Sequence, residues 1–424
     1  MHELIHTYTS AMKVDTNREV VITGIGILSS IGIGRDSYWN ALAQGRTGFK
    51  KISLFDTSGF KVHVAGEIDF DPIQFLGKKG LRDLDRSIKL VNSAAKLAID
   101  DGKLEITEEN THSIGVSIGA TFGSLHSISQ FDRVGLIEGP RNVNPSHFPN
   151  TVLNSPASQI SIRFNIKGFN TTISTGFCAG LDAVYYAADF IKLNRADVIL
   201  TGAVEELCEE TLLLFHNTDY LSGLDGSEPV SCPFDKRRNG FILSEGAAVL
   251  VVEDKEHAMK RGANILATVL GYGNSFDPSN NRGFSPVGAG LNNAISTALK
   301  EASLDPKDID YICSCANSTK ELDKMETHVI KGIFGEDAYQ VPVSSIKSMV
   351  GESYSASGSL ALAAAVGAIQ KGFIPPTVNY KEKDPECDLD YVPNKSRKKR
   401  VNKVLVTSAD PYGQNTAVVL GRYL

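Results

Sequence analysis

The chain has no long apolar run. Its most apolar stretches, such as Ser359 to Ile369, are too short and too rich in Ala and Gly to span a bilayer. Residues 1–17 lack a basic start followed by an apolar core, so no secretory signal is expected. Positive charge is not in excess either: Lys+Arg 43 against Asp+Glu 49 leaves a net −6, which argues against a generally basic nucleic-acid binder. There is no GxGxxG after a strand and no P-loop, so no cofactor is expected, and Gly24-Ile25-Gly26 reads as a turn. Cysteine is sparse, at 178, 208, 232, 313, 315 and 387, and unpatterned. The CxC of Cys313 and Cys315 has no nearby partner pair. Buried, reduced thiols in a cytoplasmic protein without metal are expected. Histidine is scarce where it matters: of nine, only His328 lies beyond residue 260.

Ordinary globular composition, 42% hydrophobic and 22% charged, leaves a large folded body. Strand and helix signals alternate along it. Val20–Gly24, Ser113–Gly119, Thr171–Ser174, Val198–Thr201 and Ala247–Val252 read as strands, as do Ile265–Leu270, Tyr311–Cys315, Val404–Thr407 and Thr416–Leu420. Helices are expected over Asp36–Ala43, Arg82–Asp101, Asn154–Phe164, Cys178–Leu193, Gly288–Ala302, Lys320–Ile333 and Ser357–Gln370. The last is built from small residues and implies close packing. The class is therefore α/β with largely parallel strands. The rhythm repeats, suggesting an old duplication into an 18–260 half and a 261–424 half behind a 1–17 extension.

The most informative stretch is TTISTGFCAG, Thr171 to Gly180. A strand, a small-residue turn and a helix can hold a nucleophile at a helix N-terminus. Backbone N–H groups there lower a thiol pKa and stabilise an oxyanion. Together with PFDKRRNGFILSEG at 233–246, VVITGIGILSSIG at 20–32, RADVILTGAVE at 195–205, LDKMET at 322–327 and SIKSMVGE at 345–352, it resembles the β-ketoacyl synthases of the condensing-enzyme group. The resemblance runs from about Asn17 to Leu424. It implies a thiolase-like, five-layer αβαβα fold made from two duplicated halves. It also implies a Cys that takes an acyl group from an acyl carrier protein, and two His that drive decarboxylation and carbon–carbon bond formation.

This sequence departs from that pattern at each of the three positions. The register of the nucleophile motif places Phe177 where the Cys belongs. Counting back from Asp323 puts Cys315 at the first His, and counting on from Lys347 puts Glu352 at the second. A carboxylate cannot donate the hydrogen bond an enolate needs unless its pKa is strongly raised. The glycine-rich loop near the C-terminus reads Ser408-Ala409-Asp410-Pro411-Tyr412-Gly413-Gln414-Asn415 and has lost its gating Phe. Lys347, Asp323, Glu326 and Glu245 are retained and are expected to form structural ion pairs.

A condensing-type chain without the Cys and both His resembles the chain length factor, or ketosynthase β subunit, of type II polyketide synthases. The resemblance implies a heterodimer with an active ketosynthase α subunit, a carrier protein bearing the growing chain, and a tunnel whose end sets product length. Ser124, Ser127 and Phe131 are expected to line it from one helical face, open at the serines and closed at Phe131. His126 and His147 read as surface or interface residues. Lys78, Lys79, Arg82 and the KSRKKR run at 395–400 are candidates for contact with the acidic carrier. Two other readings compete: an acyltransferase-type enzyme using Cys178, and a structural or regulatory protein that reuses the fold.

Overall fold

A computed structural model describes residues 18–279 and 283–423; the expected 1–17 extension lies outside them. In chain order the elements that build the core are β1 (Val20–Ser29), α1 (Arg35–Gln44), α2 (Arg86–Asp101), β2 (Ile114–Gly119), α3 (Leu125–Ile137), α4 (Ser155–Phe164), β3 (Asn170–Ile173), α5 (Ala179–Lys192), β4 (Val198–Glu205), α6 (Glu209–Asn217) and β5 (Gly246–Asp254). The second round is β6 (Ala267–Phe276), α7 (Ala289–Glu301), β7 (Tyr311–Cys313), α8 (Lys320–Phe334), β8 (Val343–Ser344), α9 (Ser355–Lys371), β9 (Lys403–Ala409) and β10 (Gln414–Gly421).

These ten strands follow one order, β8-β7-β9-β10-β6-β1-β5-β4-β2-β3. Each half repeats the same pattern outward from the β1–β6 seam, β1-β5-β4-β2-β3 and β6-β10-β9-β7-β8. Helices α5 and α9 pack on each other between the two halves of the sheet, α2 covers one outer face and α7 the other. The result is the five-layer α/β arrangement. The strands are mixed rather than largely parallel. β2 runs parallel to β3 and β4, and β7 to β8 and β9, but β1 is antiparallel to β5 and β6, and β9 to β10. The β9–β10 link is only four residues, Asp410 to Gly413, and so short a turn can join only antiparallel neighbours.

Local sequence explains the layers. Helix α9 is buried along nearly its whole length, so its Ser, Gly and Ala allow the close packing that its composition implied. It begins two residues earlier than expected, at Ser355. The expected helix at Arg82 starts instead at Arg86, because Asp85 accepts the Ile88 N–H and caps it. Gly24 and Gly26 are not a turn; both lie inside β1. They are glycines because α2 crosses there: a Cβ on Gly26 would sit 1.9 Å from the Ala94 carbonyl oxygen, and one on Gly24 2.4 Å from that of Ala98. All six cysteines are buried and free.

Candidate functional site: a buried centre around Lys347

β3 runs into a single 3-10 turn, Gly176 to Cys178, and then into α5. Phe177 occupies that turn and is 2% exposed. The Lys347 side chain reaches the same place from the turn after β8. Its Nζ stands 5.8 Å from the centre of the Phe177 ring, 2.9 Å from the Cys315 carbonyl oxygen and 2.8 Å from Glu352 Oε2. The three positions aligned from sequence therefore converge on one buried ammonium.

Glu352 is fully buried and used entirely as an acceptor. Lys347 Nζ and Asn317 Nδ2 (3.0 Å) donate to Oε2; Ser357 Oγ (2.5 Å) and the Tyr354 N–H (3.2 Å) donate to Oε1. No oxygen is left to serve as a donor. Burial works against the Lys347 charge, but Glu352 and the other nearby anions outweigh it and hold its pKa above the ordinary range. The Cys315 thiol, in the place of a histidine, is pushed well up by burial and then by Glu326.

Aromatic rings fill the space around Phe177. Tyr354 lies 4.4 Å from Phe177 edge-on, stacks on Phe122 at 4.6 Å and sits 5.3 Å from Phe215, centroid to centroid. Phe241 meets Phe177 and Phe215 at 6.3 and 5.3 Å. Tyr354 adopts a φ of +52, a conformation costly for an aromatic residue and held here by the packing around it.

The amide of residue 177 is also taken. Its N–H donates to Asp410 Oδ2 at 3.0 Å, and the Phe177 carbonyl accepts from Ser408 Oγ at 2.8 Å. Gly176, at φ +60, makes room: a Cβ there would lie 1.9 Å from Asp410 Oδ2. Pro411 follows and has no N–H to offer. A donor that could stabilise an oxyanion is thus occupied by an internal carboxylate. Sequence reading noted the altered loop but missed this contact. An Asp-Pro pair in place of glycines was the available signal.

Cys178 is the N-cap residue of α5, fully buried, with Sγ 3.4 Å from the Gln414 carbonyl oxygen. Burial, then Asp182 and Asp410, push its thiol well above the ordinary value. Reactive thiols need the opposite environment.

The retained residues are anchors, only some of them ion pairs. Glu245 accepts both Arg86 Nε (2.7 Å) and the Ile68 N–H (2.8 Å). Asp323 is 3.7 Å from Arg238 Nε and accepts the Phe234, Asn317 and Ser318 amides; burial nevertheless pushes its carboxyl up to about 7. Glu326 departs from expectation. Among the described residues it forms no ion pair and instead accepts from Ser314 Oγ, Thr407 Oγ1 and the Cys315 and Ala316 amides, because polar groups just past the end of β7 and on the neighbouring strand β9 supply its donors.

Of the expected tunnel residues, Ser124 is not on the helical face. It sits at the N-cap position of α3 without a side-chain capping bond, is 1% exposed, and its Oγ lies 3.3 Å from Ser87 Oγ. Ser127 and Phe131 are half-buried on α3, the Phe131 ring 6.2 Å from that of Phe148. His126 and His147 are exposed, as are Lys78, Lys79 and Arg82.

A doubled α/β fold with a nucleophile turn at a helix N-terminus defines a condensing-enzyme scaffold. Comparison with known proteins places the chain within that class. Residues 17–258 match the β-ketoacyl synthase N-terminal domain and 266–381 the C-terminal domain. A 3-oxoacyl-[acyl-carrier-protein] synthase 2 of Coxiella burnetii is 37% identical over 96% of this chain and 99% of that one. The tetracenomycin polyketide synthase ketoacyl synthase alpha subunit of Streptomyces glaucescens is 38% identical, covering 97% and 99%. Among solved structures, the ishigamide ketosynthase/chain length factor superimposes with a TM-score of 0.90 at 34% identity, over 96% of this chain and all of that one. A type II acyl-carrier protein in complex with its ketosynthase bound to the hexaketide gives a TM-score of 0.88 at 28% identity, over 96% and 100%. The chain belongs to the β-ketoacyl synthase family and is of the type II polyketide ketosynthase kind. No helix among the described residues is long and apolar enough to cross a membrane.

Proposed function

We propose that this chain is a non-condensing subunit of the chain length factor type. It pairs with an active ketosynthase α subunit in the cytoplasm, and the pair elongates a chain carried by an acyl carrier protein. The observation that carries this reading is the single knot around Lys347. It removes the nucleophile and both histidines at once, yet leaves a complete, tightly bonded core.

A partner surface supports the pairing. Leu136 (86%), Ile137 (72%), Phe148 (57%) and Ile162 (71%) are exposed along one stretch of chain, from α3 to α4, and strand β3 ends the sheet. Exposed apolar area next to a free sheet edge is a protein-binding surface. The ishigamide ketosynthase/chain length factor is the kind of assembly this surface would serve. In the assembly α3, with Ser127 and Phe131, borders the tunnel that sets product length, and Lys78, Lys79 and Arg82 meet the acidic carrier.

Co-expression tests the reading. A soluble, active complex that forms only with an intact ketosynthase supports it. A stable homodimer that condenses acyl chains by itself overturns it. The reading in which Cys178 does chemistry finds no support in a thiol sealed beneath Gln414.

A further inference from the structure

The molecule carries a net −6, yet five of its Lys and Arg fall within the six residues KSRKKR, Lys395 to Arg400. This run is a fixed edge, not a loose loop. Arg397–Lys398 forms a short strand antiparallel to Phe373–Ile374, whose side chains are buried. The Lys399 N–H donates to the Gly372 carbonyl at 3.1 Å, and its Nζ to the Asp310 carbonyl at 2.9 Å. Asp310 Oδ2 accepts the Asn402 and Lys403 amides at 2.8 and 3.0 Å. Among the described residues only Arg397, of the five cations, has a carboxylate within ion-pair distance, that of Asp390. Lys395, Lys398 and Arg400 are exposed.

The run lies at the end of the molecule opposite the Lys347 centre. β9 begins at Lys403 and ends beside Ser408 and Asp410, both bonded to Phe177. α9 begins next to Tyr354 and ends at Lys371, one residue before Gly372. Seven strand residues and seventeen helical residues span about 23 and 25 Å respectively. The other exposed cations, Lys78, Lys79 and Arg82, lie at the near end. They precede α2, where the Ser87 amide donates to Glu206, and the adjacent Glu205 accepts Ser355 Oγ from the first turn of α9. A carrier that meets Lys78, Lys79 and Arg82 therefore leaves the 395–400 edge free.

Two features choose the partner of that edge. Residues 393–403 contain no aromatic side chain on which a base could stack, which disfavours a single-stranded nucleic acid. A cluster of Lys and Arg on a firm edge suits a surface of many anionic headgroups. We propose that the 395–400 edge docks the protein on an anionic phospholipid surface, with Lys395, Lys398 and Arg400 against the headgroup phosphates. Contact is peripheral and electrostatic, and it points the Lys347 end away from the lipid. It does not depend on the chain-length reading.

The test is co-sedimentation of the full chain, alone and in its co-expressed complex, with vesicles of mixed phosphatidylglycerol and phosphatidylcholine. Vesicles of phosphatidylcholine alone are the control. Each cation near such a surface is worth about fivefold in binding, so Lys395→Gln, Lys398→Gln and Arg400→Gln together should weaken it on the order of a hundredfold. Melting should be unchanged, because none of the three pairs with a carboxylate among the described residues. Lys78→Gln, Lys79→Gln and Arg82→Gln together should bind vesicles as wild type does. If the first triple variant fails to fold, salt on wild type gives the same readout: about 1 M, where the Debye length is about 3 Å, should release the protein. Equal binding to both kinds of vesicle, or anionic-vesicle binding that the triple variant and high salt leave intact, would overturn the proposal. So would a wild-type protein that ignores vesicles but binds RNA or the acyl carrier protein through these three residues. Measuring the chain alone keeps the result separate from any failure of ketosynthase pairing.

Discussion

Phe177→Cys puts back the side chain that the nucleophile turn would carry in a condensing enzyme. The structure argues that it restores nothing. Truncating a buried ring that packs against Tyr354 and Phe241 costs about 3 kcal/mol, the low end of the Phe→Ala range because sulfur refills part of the hole. The new thiol would lie in the same buried setting that raises Cys178, with Asp410 beside it. Among the described residues no histidine contacts Phe177 to take its proton, and the residue 177 amide already donates to Asp410. Thermal melting should show a loss of roughly 3 °C, because an unfolding entropy of ~2.1 cal/mol/K per residue makes 1 kcal/mol worth about 1 °C in a chain of 424 residues. Intact-protein mass spectrometry after incubation with an acyl-carrier substrate should show no adduct at position 177. Adding Cys315→His and Glu352→His should still yield little acylation until Asp410→Gly frees the amide. An adduct on the single variant would refute the argument that position 177 is electrostatically and sterically closed.

Other outcomes follow from the same geometry. Glu352→Gln leaves the Lys347 ammonium buried against a neutral amide and should cost about 3–5 kcal/mol in urea unfolding, while Lys347→Met with Glu352→Gln should recover part of it. In the complex, Phe131→Ala should lengthen products or broaden their distribution by product mass; unchanged products would remove that ring from the gate. Burial raises the carboxyls of Glu205 and Asp323 to about 7, so the folded state holds their protons more tightly than the unfolded chain does. Each contribution is fully present below the ordinary carboxylate pKa and is lost as pH climbs toward 7, at up to about 1.4 kcal/mol per pH unit. Urea midpoints between pH 4.5 and 7.5 should therefore decline less steeply for Glu205→Gln than for wild type.

Much of this protein was legible from residue order. Alternating apolar runs gave the α/β class, and the small residues of α9 gave its central burial, because period and side-chain volume are local properties. The register of three motifs named Phe177, Cys315 and Glu352, since counting from Asp323 and Lys347 needs no coordinates. Strand direction was not legible: β1 pairs with strands more than two hundred residues away, and its glycines read as a turn until α2 was seen to cross them. Nor could sequence tell that Lys347 gathers the three positions, that Glu326 anchors a loop rather than an ion pair, or that Asp410 reaches Phe177 across 233 residues. Those are long-range contacts, set by where the doubled sheet brings its strand ends together. The sequence by itself determined the family and the three substituted positions on which the proposed loss of chemistry rests. Only the tertiary structure decided what gathers at those positions: a buried ion pair, a carboxylate on the Phe177 amide and a wall of rings, all set by long-range contacts.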